Sequence, residues 1–174
     1  MKGEKIISTL VTNGLYLELI EKPETIFAGK LGYAANAKDE PDIGQLLNGY
    51  RDIASKITDA VEPEWWIGIS INYGKKDALK GYMFALEAAT DKQPEGVDVY
   101  RVPASLYVRL RKDDQNALRI LGKDSCQGYE LFPLIYEVLR QHGYPYADNG
   151  AQEIECDYSK DTNIGFVYVA AGRA

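Results

Sequence analysis

The chain has 174 residues, and its 20 basic against 26 acidic side chains give a formal net charge of −6. That length fits one globular domain, 45% apolar content argues against disorder, and an acidic chain with scattered basic residues disfavours direct contact with nucleic acid. No apolar run approaches the roughly 20 residues of a membrane helix and the first ten residues lack a secretory layout, so a cytoplasmic protein making no membrane contact is expected.

Residues 1–22 carry Ile6, Ile7, Leu10, Val11, Leu15, Leu17 and Leu19 at no clear period and are read as a lead-in segment of open form. Thr25 to Tyr33 has the composition of a strand with glycine irregularities. Pro41-Asp42 then supplies a helix start with a capping aspartate, and Ile43, Leu46, Leu47, Tyr50, Ile53, Ala54 and Ile57 follow at intervals of three and four. Trp65 to Tyr73 alternates with period two and predicts a half-buried strand, paired as a hairpin with Gly81 to Ala89. After a Pro94-Glu95-Gly96 turn comes a long extended stretch from Val97 to Arg111, kinked at Pro103. Leu131, Leu134, Ile135, Val138 and Leu139 mark a second helix that stops at His142-Gly143, and the runs Glu153–Tyr158 and Ile164–Ala170 close the chain as another hairpin.

The order is strand, helix, strand, strand, and then the same four again, with matching elements offset by roughly 73 to 87 residues. This predicts an α+β fold built as a tandem pseudo-twofold repeat, one unit over about residues 23–92 and the other over 95–174. One helix per unit covers one sheet face, so two antiparallel sheets are expected to meet at a central ligand cleft.

Few kinds of catalysis suit this composition. Cys126 and Cys156 form no CxxC pair and are read as reduced, and the single His142 at a helix end offers neither a metal cluster nor a nucleophile's base, so no metal or cofactor is expected. In the Trp65–Tyr73 strand, Trp65, Ile67, Ile69, Ile71 and Tyr73 form the core face; Trp66 shares the other face with Asn72 and the small Gly68 and Ser70, where a cavity can open. Tyr107 lies on the strand face opposite Leu106, Val108 and Leu110 and is a candidate for the cleft, with a plain sheet-surface tyrosine as the alternative. Glu87 is a second carboxylate candidate, although a solvated strand charge is the plainer reading. Glu153, Glu155 and Asp157 alternate with Ile154 and Cys156, and the residues alone read equally as a wet face. Tyr33 and Tyr168, in flanking strands, complete the candidate ligand-binding set.

The order of elements, together with Arg101-Val102-Pro103-Ala104-Ser105-Leu106-Tyr107-Val108 and Ile154-Glu155-Cys156-Asp157-Tyr158, resembles the gyrase-inhibitor-like, AraC-type effector-binding domains over Pro23 to Arg173. The resemblance implies an effector-binding domain over residues 23–174 in which an aromatic cleft with a buried carboxylate binds bulky, hydrophobic, often cationic compounds. Glu155 takes the place of the family's late glutamate and Tyr107 that of its tyrosine after the proline. Where the family carries a tyrosine two residues past the glutamate, this chain has Asp157, with Tyr158 one further on. A standalone, non-enzymatic module that senses or sequesters drugs or toxins is the favoured expectation, with a transcription regulator as a partner. Two alternatives come with the resemblance. One is hydrolysis of cyclopropane-bearing genotoxins, Glu155 activating water and Tyr107 bonding the developing phenolate. The other is an interaction with DNA gyrase through the acidic surface.

Overall fold

The computed structural model describes residues 2–158 and 161–173. It is a mixed α/β structure of nine strands and three α-helices. The strands are β1 (Lys5–Thr12), β2 (Leu15–Lys22), β3 (Thr25–Tyr33), β4 (Trp65–Ile71), β5 (Gly81–Ala88), β6 (Asp98–Val102), β7 (Ser105–Arg111), β8 (Glu153–Tyr158) and β9 (Asp161–Ala171), and the helices are α1 (Ile43–Ile53), α2 (Gln115–Leu121) and α3 (Phe132–Gln141). All strand pairs are antiparallel, and they form one continuous sheet in the order β1-β2-β7-β9-β8-β4-β5-β3-β6. This corrects the expectation of two sheets, because β4 and β8 pair directly and join the halves edge to edge.

Other differences have local causes. Residues 1–22, read as a lead-in, contain the β1–β2 hairpin that extends the sheet beyond β7. Its period was hidden because β2 buries both faces: Leu17 and Leu19 point one way and Ile20 the other, all close to fully buried. The expected strand from Val97 to Arg111 divides at Pro103, which has no N–H for a ladder; β6 goes to the edge beside β3 and β7 to the other half between β2 and β9. Helix α2 lies in the polar stretch before the second expected helix, capped by Asp114, whose Oδ1 accepts from Ala117 N at 2.8 Å, and ended by Gly122 in the left-handed region.

Strand parity sorts the core into two layers. On the helix face, Leu17, Leu19, Val108, Leu110, Val167 and Val169 pack beneath Ile135, Val138 and Leu139 of α3. On the far face lie Phe27, Ile67, Ile69, Ile71, Met83, Tyr107, Ile154, Cys156 and Tyr168. Helix α1 is capped by Asp42, which accepts from Gln45 N, and buries Leu46, Tyr50 and Ile53. It settles close on β3 because Gly32 has no side chain: a Cβ there would stand 2.5 Å from Leu46 Cδ2. Helix α1 lies over β3 and β5, and α3 over β9, β7 and β1, so the central β4–β8 pair runs in the gap between them. No helix among the described residues is long and apolar enough to cross a membrane.

Candidate functional site

The gap between α1 and α3 holds a cavity of about 260 Å³ whose floor is the β4–β8 pair. The register puts Gly68 opposite Glu155 and Ser70 opposite Glu153. With no Cβ at Gly68, the Tyr82 ring from β5 leans over it: an added Cβ would lie 2.1 Å from the phenol oxygen. Tyr73, Tyr129, Phe132 and Ile43 complete the lining, Ile43 and Tyr129 being exposed at the mouth. Burial drives the phenols of Tyr73 and Tyr82 well above their ordinary pKa, so both remain protonated donors.

Three carboxylates line this face in register: Glu153, Glu155 and Asp157. Glu153 accepts a 2.9 Å bond from Tyr136 Oη and stands opposite Ser70 across the β4–β8 pair, while burial raises its pKa above the usual carboxylate value despite these polar neighbours. Glu155 and Asp157 share a lysine. Lys112 continues the Val108–Leu110 face just past the end of β7, and its Nζ lies 2.7 Å from Glu155 Oε1 and 2.6 Å from Asp157 Oδ1. Burial works to discharge that ammonium, but the bonds to Asp157 and Glu155 outweigh it and hold its pKa up. Desolvation raises the pKa of Asp157, the Glu155 charge adds to this, and Lys112 opposes both.

The structure brings Gly68, Ser70 and Glu155 together in one cavity, with Asp157 beside them on Lys112. Trp66 is paired with Asp157 on the same face but one step beyond the cavity lining; it is 42% exposed, with its ring edge-on to Tyr50 at 6.0 Å. Tyr107 is not brought to Glu155. Because Val108 and Leu110 turn toward the helices, Tyr107 faces the far core, fully buried, donating to Ala151 O at 2.9 Å and accepting from Asn149 Nδ2 at 2.7 Å. The Glu155–Tyr107 pair on which hydrolysis would draw is therefore not assembled. Tyr168 is also buried in the far core, edge-on to Tyr107, with its hydroxyl 3.4 Å from Glu4 Oε2. Glu87 lies on that same far face, 3.7 Å from Lys22 Nζ, with burial raising its pKa and Lys22 partly offsetting the rise. Tyr33 sits half exposed at the end of β3 against Gly81.

The sequence did not single out Glu153, Tyr73, Tyr82, Tyr129 and Phe132 as lining of this cavity, nor Lys112 as the partner of Glu155 and Asp157. Glu153 and Lys112 carried a usable signal, since each shares strand parity with a residue already on the helix face. Tyr73, expected on the core face, lines the cavity instead, because β4 ends at Ile71 and Asn72 takes the left-handed region, which breaks the alternation; Tyr129 and Phe132 come from a turn and a helix start, where no period exists to read. A larger hollow of about 470 Å³ lies at the β2–β7 end among Lys5, Glu21, Lys22, Ser105, Asn149 and Arg173, and no aromatic side chain lines it. Among the described residues no three His, Cys, Asp or Glu side chains are gathered as a metal site.

Neither the known family models nor the curated proteins give a match to this sequence. Solved structures do. The integron cassette protein VCH_CASS2 from the mobile metagenome of Vibrio cholerae superposes with a TM-score of 0.55 at 14% identity, covering 89% of this chain and 95% of its own. SAV2435, solved bound to tetraphenylphosphonium, gives 0.59 at 12% identity over 90% of this chain and 94% of its own. The C-terminal domain of EcmrR gives 0.55 at 12% identity over 91% and 98%. The architecture fits the gyrase-inhibitor-like fold. At these identities the likeness speaks for the fold alone.

Proposed function

We propose that this protein binds hydrophobic, cationic small molecules in the cavity between α1 and α3, as a sensing or sequestering module. The observation that carries the reading is a cavity that combines an aromatic wall of Tyr73, Tyr82, Tyr129 and Phe132 with the carboxylates of Glu153 and Glu155 on its floor. A desolvated carboxylate regains lost solvation from a bound cation, and each ring face adds roughly 0.5 to 2 kcal/mol of cation–π attraction. Size narrows the class. A cavity of about 150 Å³ admits one benzene ring, so about 260 Å³ suits a flat two-ring head whose substituents leave through the mouth. The tetraphenylphosphonium bound to SAV2435, a protein of the same fold, supports a lipophilic cation.

A second part of the reading concerns ancestry. Residues 23–92 and 95–174 are proposed as a duplicated unit whose junction is the β4–β8 pair. The spatial order supports it: β7-β9-β8 on one side mirrors β3-β5-β4 on the other. The site then belongs to both copies at once, Gly68 and Ser70 from one and Glu153 and Glu155 from the other. A cytoplasmic location and a regulator as partner go with this reading.

Calorimetric titration with N-methylquinolinium and its neutral isostere 1-methylnaphthalene tests it. The cation is expected to bind about tenfold tighter or more, and Gly68→Val, which drives a side chain into Tyr82 and the cavity, to abolish both. Equal affinity for the two compounds, or binding that survives Gly68→Val, contradicts the reading.

A further inference from the structure

We infer that Glu153, rather than Glu155, is the carboxylate that meets the ligand's positive charge, and that Lys112 is a resident cation holding Glu155 and Asp157 out of that role. The inference rests on the binding reading above and names the residue that selects the charge.

Glu155 is closed from two sides. Lys112 Nζ bonds its Oε1 at 2.7 Å, and Gly128, in the turn leading into α3, lies so close that a Cβ there would stand 2.4 Å from the Glu155 carboxyl carbon. That approach is open only to glycine, and it leaves no room for a ligand atom between the turn and the carboxylate. Asp157 is closed in the same manner. Its Oδ1 bonds Lys112 at 2.6 Å and would lie 2.6 Å from any Cβ on Gly165, so the backbone of β9 packs directly on it. Two glycines and one lysine thus seat both acids. Lys112 is itself only 4% exposed at its side chain and remains charged between two carboxylates.

Glu153 has a different environment. Its hydrogen bond comes from the neutral donor Tyr136, the neutral Ser70 stands opposite it across the β4–β8 pair, and no Lys or Arg among the described residues is found in an ion pair with it. It lines the cavity beside Ser70, Tyr73 and Phe132. A carboxylate has about four acceptor positions, so neutral neighbours such as Tyr136 and Ser70 leave capacity for a cation at the floor of the cavity. The negative charge there is uncompensated by the protein, and in a half-desolvated site an uncompensated charge attracts its partner strongly. A ligand whose cationic head reaches the β4–β8 floor therefore meets Glu153 first, while Lys112 keeps the same head from sliding toward Glu155.

A coupled set of variants tests this with N-methylquinolinium as the probe and 1-methylnaphthalene as the neutral control. Glu153→Gln is expected to weaken the cation by about tenfold to a hundredfold and to leave the neutral compound within about twofold. Glu155→Gln is expected to change the cation by about threefold or less. Lys112→Met frees Glu155 and Asp157 to act as substitutes, so in that background Glu153→Gln should cost only about threefold, a coupling read directly from the double-mutant cycle. Lys112→Arg, which keeps the charge, should retain the full loss. Thermal melts verify that each variant is folded, with Lys112→Gln replacing the Met variant if that one does not fold. Two results overturn the inference: a loss in Glu155→Gln equal to or larger than in Glu153→Gln, or a Glu153→Gln loss unchanged by removing Lys112. A wild-type protein that binds the cation no tighter than the neutral compound instead overturns the binding reading, and this inference with it.

Discussion

Tyr107 is buried and Glu153 half-buried, and they stand in opposite relation to the cavity. The Tyr107 hydroxyl donates its one proton to Ala151 O and accepts from Asn149, so it ties the loop before β8 to the far core. Tyr107→Phe leaves the buried Ala151 carbonyl and the half-buried Asn149 amide without this partner and should cost about 1 to 3 kcal/mol in denaturant unfolding, with ligand affinity unchanged. A drop in affinity of about tenfold in a variant that still folds would place Tyr107 at the site after all. Glu153 is expected to act through charge. Its pKa is raised in the folded chain, chiefly by burial, so the fold favours the protonated acid and ionisation weakens the folded state. Glu153→Gln mimics the protonated acid: wild type and variant should melt together at acid pH, below the unfolded carboxylate's pKa of about 4.3, and wild type should lose stability relative to the variant as pH rises through the raised value. Wild type gaining stability over the variant as pH rises would mean that Glu153 has a favourable cationic partner in the free protein. Strand alternation had grouped Glu153, Glu155 and Asp157 on one face, and that much was legible. Which of the three is already neutralised depends on Lys112, about 40 residues away in sequence.

At the scale of elements, the legible parts were those with one buried face. Helix α1, with its Asp42 cap and spaced apolar residues, and the β4–β5 hairpin, with Ile67, Ile69 and Ile71 on a single side, match their expected faces. Strand β2 and helix α2 were illegible for different reasons, the first buried on both faces and the second, at seven residues, too short to display a helical period. The two helices do different work. Helix α3 seals the core over β9, β7 and β1 with the fully buried Ile135, so Ile135→Ala should cost about 2 to 5 kcal/mol in denaturant unfolding. Helix α1 forms the other wall of the cavity and contributes Ile43 at its first turn. A cost below about 1 kcal/mol at Ile135 would mean that α3 is not packed as described.

For the whole molecule, the consequence of one continuous sheet is that the β1–β2 hairpin is part of the fold. The β1–β2 hairpin places Leu10, Leu15, Leu17 and Leu19 in the helix-face core and Ile20 in the far core. Removing residues 1–22 strips these side chains and bares the edge of β7, so the truncated chain should lose its cooperative thermal transition in near-ultraviolet circular dichroism. A truncated chain that melts as sharply as the full one would show the hairpin to be an appendage. The sheet also explains why the site was only half readable. Gly68 and Ser70 arrive from β4 and the acids from β8, and their juxtaposition depends on a pairing between halves that alternation within either strand does not reveal. The most direct measurement is a crystal structure of the protein with N-methylquinolinium. The expected result is the ring system against Tyr82 and Phe132, its nitrogen over Glu153 and Ser70, with Lys112 still bonded to Glu155 and Asp157; ring density in the hollow among Lys5, Lys22 and Arg173, or none between α1 and α3, would contradict it.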